Sequence, residues 1–450
     1  GTLKEAEGLL QKSDLTKIQI EWLARHIARA EFGINIRLFY YIGSLLNNIQ
    51  GEKYIDACFK EIGTHILQGT LDTIQFHKEC KIQKEEHTVC LPLRVNWGGG
   101  WSDTPPYCNE NGGTVLNAAI SLNGDLPVKV TFRKLKEEKI VFDSRDMDTH
   151  GEFTEIKELQ NCSDPYDPFA LQKAALLVCG IIPKKGNDLK EILHRLGGGI
   201  FMSTEVVNVP KGSGLGTSSI LAGACVKALF DFVGITYTQE DLYDHVLCME
   251  QMMSTGGGWQ DQVGGLSTGA KYITAEAGMH QYPKVKELEL SQETKDELNE
   301  RFALIYTGQR RLARNLLRDV VGRYIGNEPD ALFALSEIQK VAALMRFELE
   351  RGNVDGFAEL LSRHWKLSKK LDNGSTNTCI DQIFAVIEDL TDGQMICGAG
   401  GGGFLQVILK KGVTVVRQEN KVFWGIYEEK IIDLCTLLYT RYGIYGSDSS

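Results

Sequence analysis

The sequence predicts an α+β protein built as two lobes behind a helical leading segment. Three observations carry this. The apolar spacing changes near residue 88 from three- and four-residue steps to strict alternation. Strand-like and helix-like stretches then alternate through two successive regions. Glycines gather at turns in three widely separated places, near residues 98–100, 212–216 and 398–403.

Within residues 1–88, "IQIEWLARHIARAEFGINIRLFYYIGSLLNNI" and "YIDACFKEIGTHILQGTLDTI" keep apolar residues at helical intervals, with no proline to interrupt them. Two to four helices are expected there, packed as a hairpin or small bundle that serves as connector or oligomer contact. Residues 89–295 form the expected first lobe. "HTVCLPLRVNW", "LPVKVTFRK" and "KIVFDS" read as strands, "DPFALQKAALLVCGII" as a helix, and "GGIFMSTEVVNVP" as a strand. "SSILAGACVKALFDFVG" is a helix, and "TQEDLYDHVLCMEQMMS" opens on a Thr and a Glu in capping-box style before running helical to the glycines at 256–258. "RFALIYTG" opens the second lobe, residues 296–450, followed by helices through 330–370 and 377–391 and by the strand–turn–strand unit "MICGAGGGGFLQVILKK". No repeat of fixed period occurs.

The 450 residues carry 43% apolar and 24% charged side chains, ordinary for a globular chain. A net charge of −10 argues against a general nucleic-acid or anionic-membrane binder. There is no uninterrupted apolar run of membrane-spanning length and no signal-peptide pattern at the start. The leading Gly-Thr and the closing "GSDSS" read as the ends of a fragment. Eleven scattered cysteines without a CxxC pair predict reduced, mostly buried thiols, a cytoplasmic setting and no structural zinc.

The stretch "PKGSGLGTSS", residues 210–219, lies between an alternating strand and an apolar helix. Glycines let several N–H groups turn toward one point, and a helix N-terminus adds partial positive charge there. This suits a phosphate chain, with hydroxyls at 217–219 available to phosphate oxygens or Mg²⁺. Walker A is excluded because no lysine follows Gly216, and the dinucleotide fingerprint because the spacing is GxGxG, deep in the chain. A plain Gly-Ser loop is the alternative. Arg94 and Asp103 in "RVNWGGGWSDTPP", the five glycines of 398–403, and Glu250 and Asp261 around "STGGGWQDQVGG" favour one shared anion site.

At these residues the chain resembles the GHMP kinase superfamily. Three motifs occur in the family's order: Arg94–Pro106, the phosphate loop Pro210–Ser219, and Cys397–Phe404. "GGWSDTPP", "GSGLGTSSILAG", "TGGGWQDQVGG" and "YTGQRRLARNLLRDV" are most similar to its fucokinase branch. The resemblance implies a first lobe like the second domain of ribosomal protein S5, a ferredoxin-like second lobe, and ATP and Mg²⁺ as cofactors. It also implies phosphorylation of L-fucose at the anomeric hydroxyl, feeding GDP-fucose salvage. In some members the kinase follows a fused guanylyltransferase, absent from this chain; a homo-oligomer is a further possible partner. The tail after about residue 412 fits the family's closing helix and strand poorly.

Carried onto this sequence, the resemblance makes Asp261 the catalytic carboxylate and Arg94 its cationic neighbour. Lys211, Gly212, Ser213, Gly214, Leu215, Gly216, Thr217, Ser218 and Ser219 would cradle the nucleotide. Ser218 and Glu250 would hold the metal, although spacing does not decide among Thr217, Ser218 and Ser219. Asp103 would bind sugar hydroxyls, with capping of the turn before Pro105 as the alternative. Trp101 and Trp259 would stack on the sugar or pack in the core, and Gly402 would shape the site's floor. Arg311 and Arg314 would reach phosphate or lie on a solvated helix face. Competing expectations are a heptose 7-phosphate kinase, which needs a basic pocket for its substrate's own phosphate, and a catalytically silent sugar sensor.

Overall fold

A computed structural model describes residues 15–27, 31–70, 74–77, 79–122, 125–309, 316–413, 438–440 and 442–444. The leading segment contains α1 (Lys17–Ile27), α2 (Phe32–Leu46) and α3 (Ile49–Thr70). Helices α2 and α3 cross at glycines: a Cβ on Gly43 would lie 2.8 Å from the Gly51 carbonyl oxygen. Only small residues permit so close a crossing.

The next region holds two five-stranded sheets. The first uses β1 (Glu86–Leu91), β4 (Val128–Leu135), β5 (Ile140–Ser144), β6 (Thr149–Phe153) and β7 (Gly199–Val206), in the order β1-β4-β7-β5-β6. Strand β4 alternates as its sequence predicts, with Val128, Val130 and Phe132 turned inward. The second sheet is centred on β3 (Gly113–Leu122), which pairs with β2 (Leu93–Gly98) and β8 (Ala270–Ala275); β9 (Lys284–Glu287) extends it. Short helices α4 (Tyr107–Asn111), α5 (Ala170–Val178) and α6 (Leu189–Leu196) connect these strands.

Helix α7 (Thr217–Val233) lies on the first sheet, stacking Phe232 on Phe132 with ring centroids 5.5 Å apart. Buried residues encircle it, as expected for an interior helix with few polar positions. Helix α8 (Gln239–Met252) opens with the predicted capping box, but Asp241 closes it on Thr238 rather than the glutamate. Asp241 occupies the third helical position, so its carboxylate faces the Thr238 N–H. Helix α9 (Gln260–Leu266) follows and rests on α7 through Gly265 and Ile220.

The remaining elements are α10 (Gln292–Arg301), β10 (Phe302–Tyr306), α11 (Leu316–Ile325), α12 (Pro329–Glu350), α13 (Val354–Leu371), α14 (Thr378–Val386), β11 (Thr391–Ile396) and β12 (Phe404–Leu409). The tail adds β13 (Leu438–Thr440) and β14 (Tyr442–Ile444), although its sequence matched no element. The antiparallel order β11-β12-β10-β13 is that of a ferredoxin-like sheet. Strand β14 crosses over to pair with β3.

Strand β2 joins the two regions and is buried along its whole length. Trp97 meets Phe357 edge-on at 5.0 Å and Phe302 at 6.2 Å. Gln406 donates to the Asn96 carbonyl at 2.7 Å. Truncating a ring so placed costs about 3–5 kcal/mol, so the strand end that carries the first glycine motif is held firmly. Among the described residues the cysteines are mostly buried, and no helix is long and apolar enough to cross a membrane.

Candidate active site

Gly212, Gly214 and Gly216 all take left-handed φ, at 71°, 77° and 74°. At Gly214 the reason is contact with the third glycine motif: a Cβ would lie 2.4 Å from the Cys397 carbonyl oxygen. The Phe404 N–H donates to the Ser213 carbonyl at 3.0 Å, so main chain lies directly on main chain. The loop leads into α7, whose N-terminus has no side-chain cap. Its first N–H groups, with their partial positive charge, are left for an anion.

Arg94 reaches this loop from β2. Its Nε donates to Asp261 Oδ1 at 2.7 Å, Nη2 lies 2.7 Å from the same oxygen, and Nη1 donates to the Gly214 carbonyl at 3.0 Å. The guanidinium side chain is 6% exposed and the carboxylate 31%. The buried cation is therefore paired while Asp261 still faces solvent. A Cβ on Gly216 would lie 3.0 Å from Arg94 Cγ and 3.3 Å from the Asp261 carboxyl carbon. The phosphate loop and the carboxylate are thus immediate neighbours.

A cavity of about 360 Å³ opens at this point. Arg94, Asp261, Trp101 and Asp103 line it together with Gly212–Gly214, Gly216–Ser219 and Gly398. Asp103 is buried, and its Oδ2 accepts the Gln260 N–H at 3.0 Å. One carboxylate oxygen therefore anchors the start of α9, not the turn before Pro105. Burial pushes Asp103 up to about 6, against the lowering effect of that hydrogen bond. Asn96 and Gln260, both missed in the sequence, also line the cavity and are largely buried; the side-chain oxygen of each has no partner among the described residues.

Glu250 lies behind the loop, almost fully buried. Ser219 donates to its Oε1 at 2.6 Å, and the Thr255 hydroxyl donates to its other oxygen. Burial raises its pKa, and the two hydroxyls oppose the rise. Ser218 and Ser219 both line the cavity wall. Hard oxygens from one carboxylate and neighbouring hydroxyls suit Mg²⁺, which draws its remaining ligands from phosphate and water. The spacing could not reveal that Ser219 is the hydroxyl bound to Glu250.

Several expectations need correction. Trp259 is 1% exposed and packs against Val115, Tyr243, Val263 and Ile273, so it cannot stack on a sugar. Gly402 is buried and does not line the cavity; Gly398 and Ala399 do. Leu215 turns into the core and can offer only its backbone, and the Ser213 hydroxyl is used within the loop by the Leu215 N–H. Lys211 lines a second cavity of about 370 Å³ with Ser144, Asp146 and Thr204, which shares Thr217 and Ser218 with the first. A cavity of about 520 Å³ between α3 and α11 contains neither Arg94 nor Asp261. Arg311 and Arg314 lie outside the described residues.

The description "GHMP kinases N terminal domain" matches residues 187–269, which include the phosphate loop and the Asp261 helix. Residues 187–269 are a GHMP kinase N-terminal domain. Among the chain's relatives is the L-fucokinase/L-fucose-1-P guanylyltransferase of Bacteroides fragilis, 38% identical over 72% of this chain. The chain spans 35% of that relative's length. The D-glycero-alpha-D-manno-heptose 7-phosphate kinase of Campylobacter jejuni is 28% identical over 70% of the chain and 86% of the relative. The galactokinase structure of Lactococcus lactis, complexed with galactose, has the same fold at a TM-score of 0.54. It is 17% identical and covers 72% of this chain and 86% of its own.

Proposed function

We propose that this kinase transfers the γ-phosphoryl group of ATP to the anomeric hydroxyl of L-fucose, giving L-fucose 1-phosphate and ADP for GDP-fucose salvage. The observation that carries the reading is the Arg94–Asp261 pair at the edge of the phosphate loop, facing a cavity with Asp103 and Trp101 on its other wall. The greater likeness to a relative named for fucokinase and guanylyltransferase activities than to the heptose 7-phosphate kinase supports fucose over the heptose phosphate.

The triphosphate lies along Gly212–Ser219, with its tail against the first turn of α7. The base occupies the neighbouring cavity beside Lys211 and Thr204. Asp261 keeps Oδ1 on Arg94 and uses Oδ2 to accept the proton of the attacking hydroxyl. Arg94 holds that carboxylate in place and offsets charge developing on the transferred group. The free oxygen of Asp103 accepts hydroxyls of the sugar, and Trp101 covers its apolar face. Glu250 with Ser219 or Ser218 would hold Mg²⁺, which when bound neutralises phosphate charge. The mostly buried thiols fit a reducing cytoplasm.

The test is ADP release with Mg-ATP across L-fucose, D-arabinose, D-galactose, D-mannose and heptose 7-phosphate. Fucose should lead the series. Asp261→Asn should lower its turnover by about 10³ without unfolding the protein. Preference for heptose 7-phosphate, or near-normal turnover by the Asn variant, would overturn the reading.

A further inference from the structure

One buried base approaches the sugar side of the cavity from the opposite lobe. His364, on α13, is 1% exposed. Its Nε2 accepts the Gly99 backbone N–H at 2.9 Å. On the other side of the ring, Nδ1 lies 3.2 Å from Ser368 Oγ, whose hydroxyl donates to the His364 carbonyl at 3.1 Å. The serine oxygen therefore accepts from the ring, which places the ring hydrogen on Nδ1 and leaves Nε2 as an acceptor. Burial pushes the imidazole down to about 4, so it stays neutral at ordinary pH.

Gly99 begins the turn that presents Trp101 and Asp103 to the cavity. Its carbonyl is held from within the turn, by the Ser102 hydroxyl at 2.6 Å and the Ser102 N–H at 3.0 Å. Ser102 Oγ in turn accepts the Thr114 N–H at 3.0 Å. The first lobe thus holds the Gly99 carbonyl, while the Gly99 N–H turns to the second lobe. Among the described residues, His364 is the partner of that group.

We propose that His364 is a positioning residue for the sugar acceptor, setting Gly99–Trp101, and through them Asp103, at the right distance from Asp261. The proposal rests on the sugar-kinase reading above, since it assigns the 99–103 turn to sugar. A merely structural histidine would affect stability and both substrates alike. A positioning one acts on the sugar alone, because the nucleotide loop is held separately by Arg94 and the third motif.

The experiment compares steady-state kinetics of the full chain with His364→Gln, His364→Asn and His364→Ala. A glutamine amide oxygen reaches the place of Nε2, whereas an asparagine oxygen falls near Nδ1. His364→Gln should keep the sugar KM within threefold of the parent. His364→Asn and His364→Ala should raise it at least tenfold while the ATP KM stays within threefold. If His364→Ala does not fold, the Gln and Asn pair still decides. The proposal is overturned if the Asn variant keeps the parental sugar KM, if Gln is as impaired as Asn, or if the ATP KM climbs in step. Should the parent not use fucose, the functional reading fails by itself, and the comparison runs on whichever sugar of the panel it phosphorylates.

Discussion

Gly216→Ala probes the idea that the phosphate loop and the carboxylate form one unit. At φ of 74° an L-residue with a Cβ is strained by about 1–2 kcal/mol. The new methyl group also enters the gap between Arg94 Cγ at 3.0 Å and the Asp261 carboxyl carbon at 3.3 Å. Ordinary carbon contacts lie near 3.5–4.0 Å, so the pair must give by several tenths of an ångström. A displacement of about 1 Å at reacting groups can cost 10²-fold in rate. We therefore expect kcat to fall between tenfold and a hundredfold, more than the strain alone explains. The control is Gly186→Ala, with φ of 69° and nothing within 4 Å of the added methyl. It has the same backbone strain but should leave kcat unchanged. ADP-release kinetics beside thermal melting of both variants reads the difference. If Gly216→Ala keeps kcat within threefold of the parent while melting as Gly186→Ala does, the coupling of loop and carboxylate is wrong.

Two predictions concern titration. Asp103 is pushed up to about 6 by burial, so its ionised form is lost as pH falls through that value. The sugar KM should rise below pH 6, and Asp103→Asn should remove that limb; a flat wild-type profile would contradict the role. Its contribution to stability has the opposite sense, being greatest below the unfolded value near 4 and lost as pH rises through 6. Lys271 is wholly buried, donating to the Gly264 and Ser267 carbonyls at 2.6 and 2.9 Å at the far end of α9. Burial lowers it to about 7, so between 7 and 10.5 the unfolded chain binds more protons and this group makes the folded state gain stability with pH. Melting at pH 7 and 9 should show that gain shrinking in Lys271→Met.

Much of this was legible because it is local. A glycine at a strand–helix turn, a helical apolar stripe or a strand alternation declares itself within a few residues, and so did the loop at 212–219 and the helices before residue 71. What stayed hidden depends on contacts across long separations. For Trp259 the sequence left sugar stacking and core packing open, and only the fold decides: the ring sinks between β3, β8 and α8, where a Cβ on Gly113 would lie 2.7 Å from it. Ser219 and Ser218 are adjacent, and only the turn of α7 decides which one meets Glu250. His364 carries no motif, and its partner lies 265 residues away as a backbone atom, which sequence does not label. The short β13 and β14 are recognisable only by the strands they join.

The bare main-chain contact between residues 212–214 and 397–403 constrains how such an enzyme can diverge. No side chain lies between the two strips, so neither can drift while a neighbour resizes to compensate. Chimaeras of related kinases should survive only when both strips come from the same parent. New acceptor preferences should therefore arise in the walls around Asp103 and Trp101, where a change of shape can be absorbed.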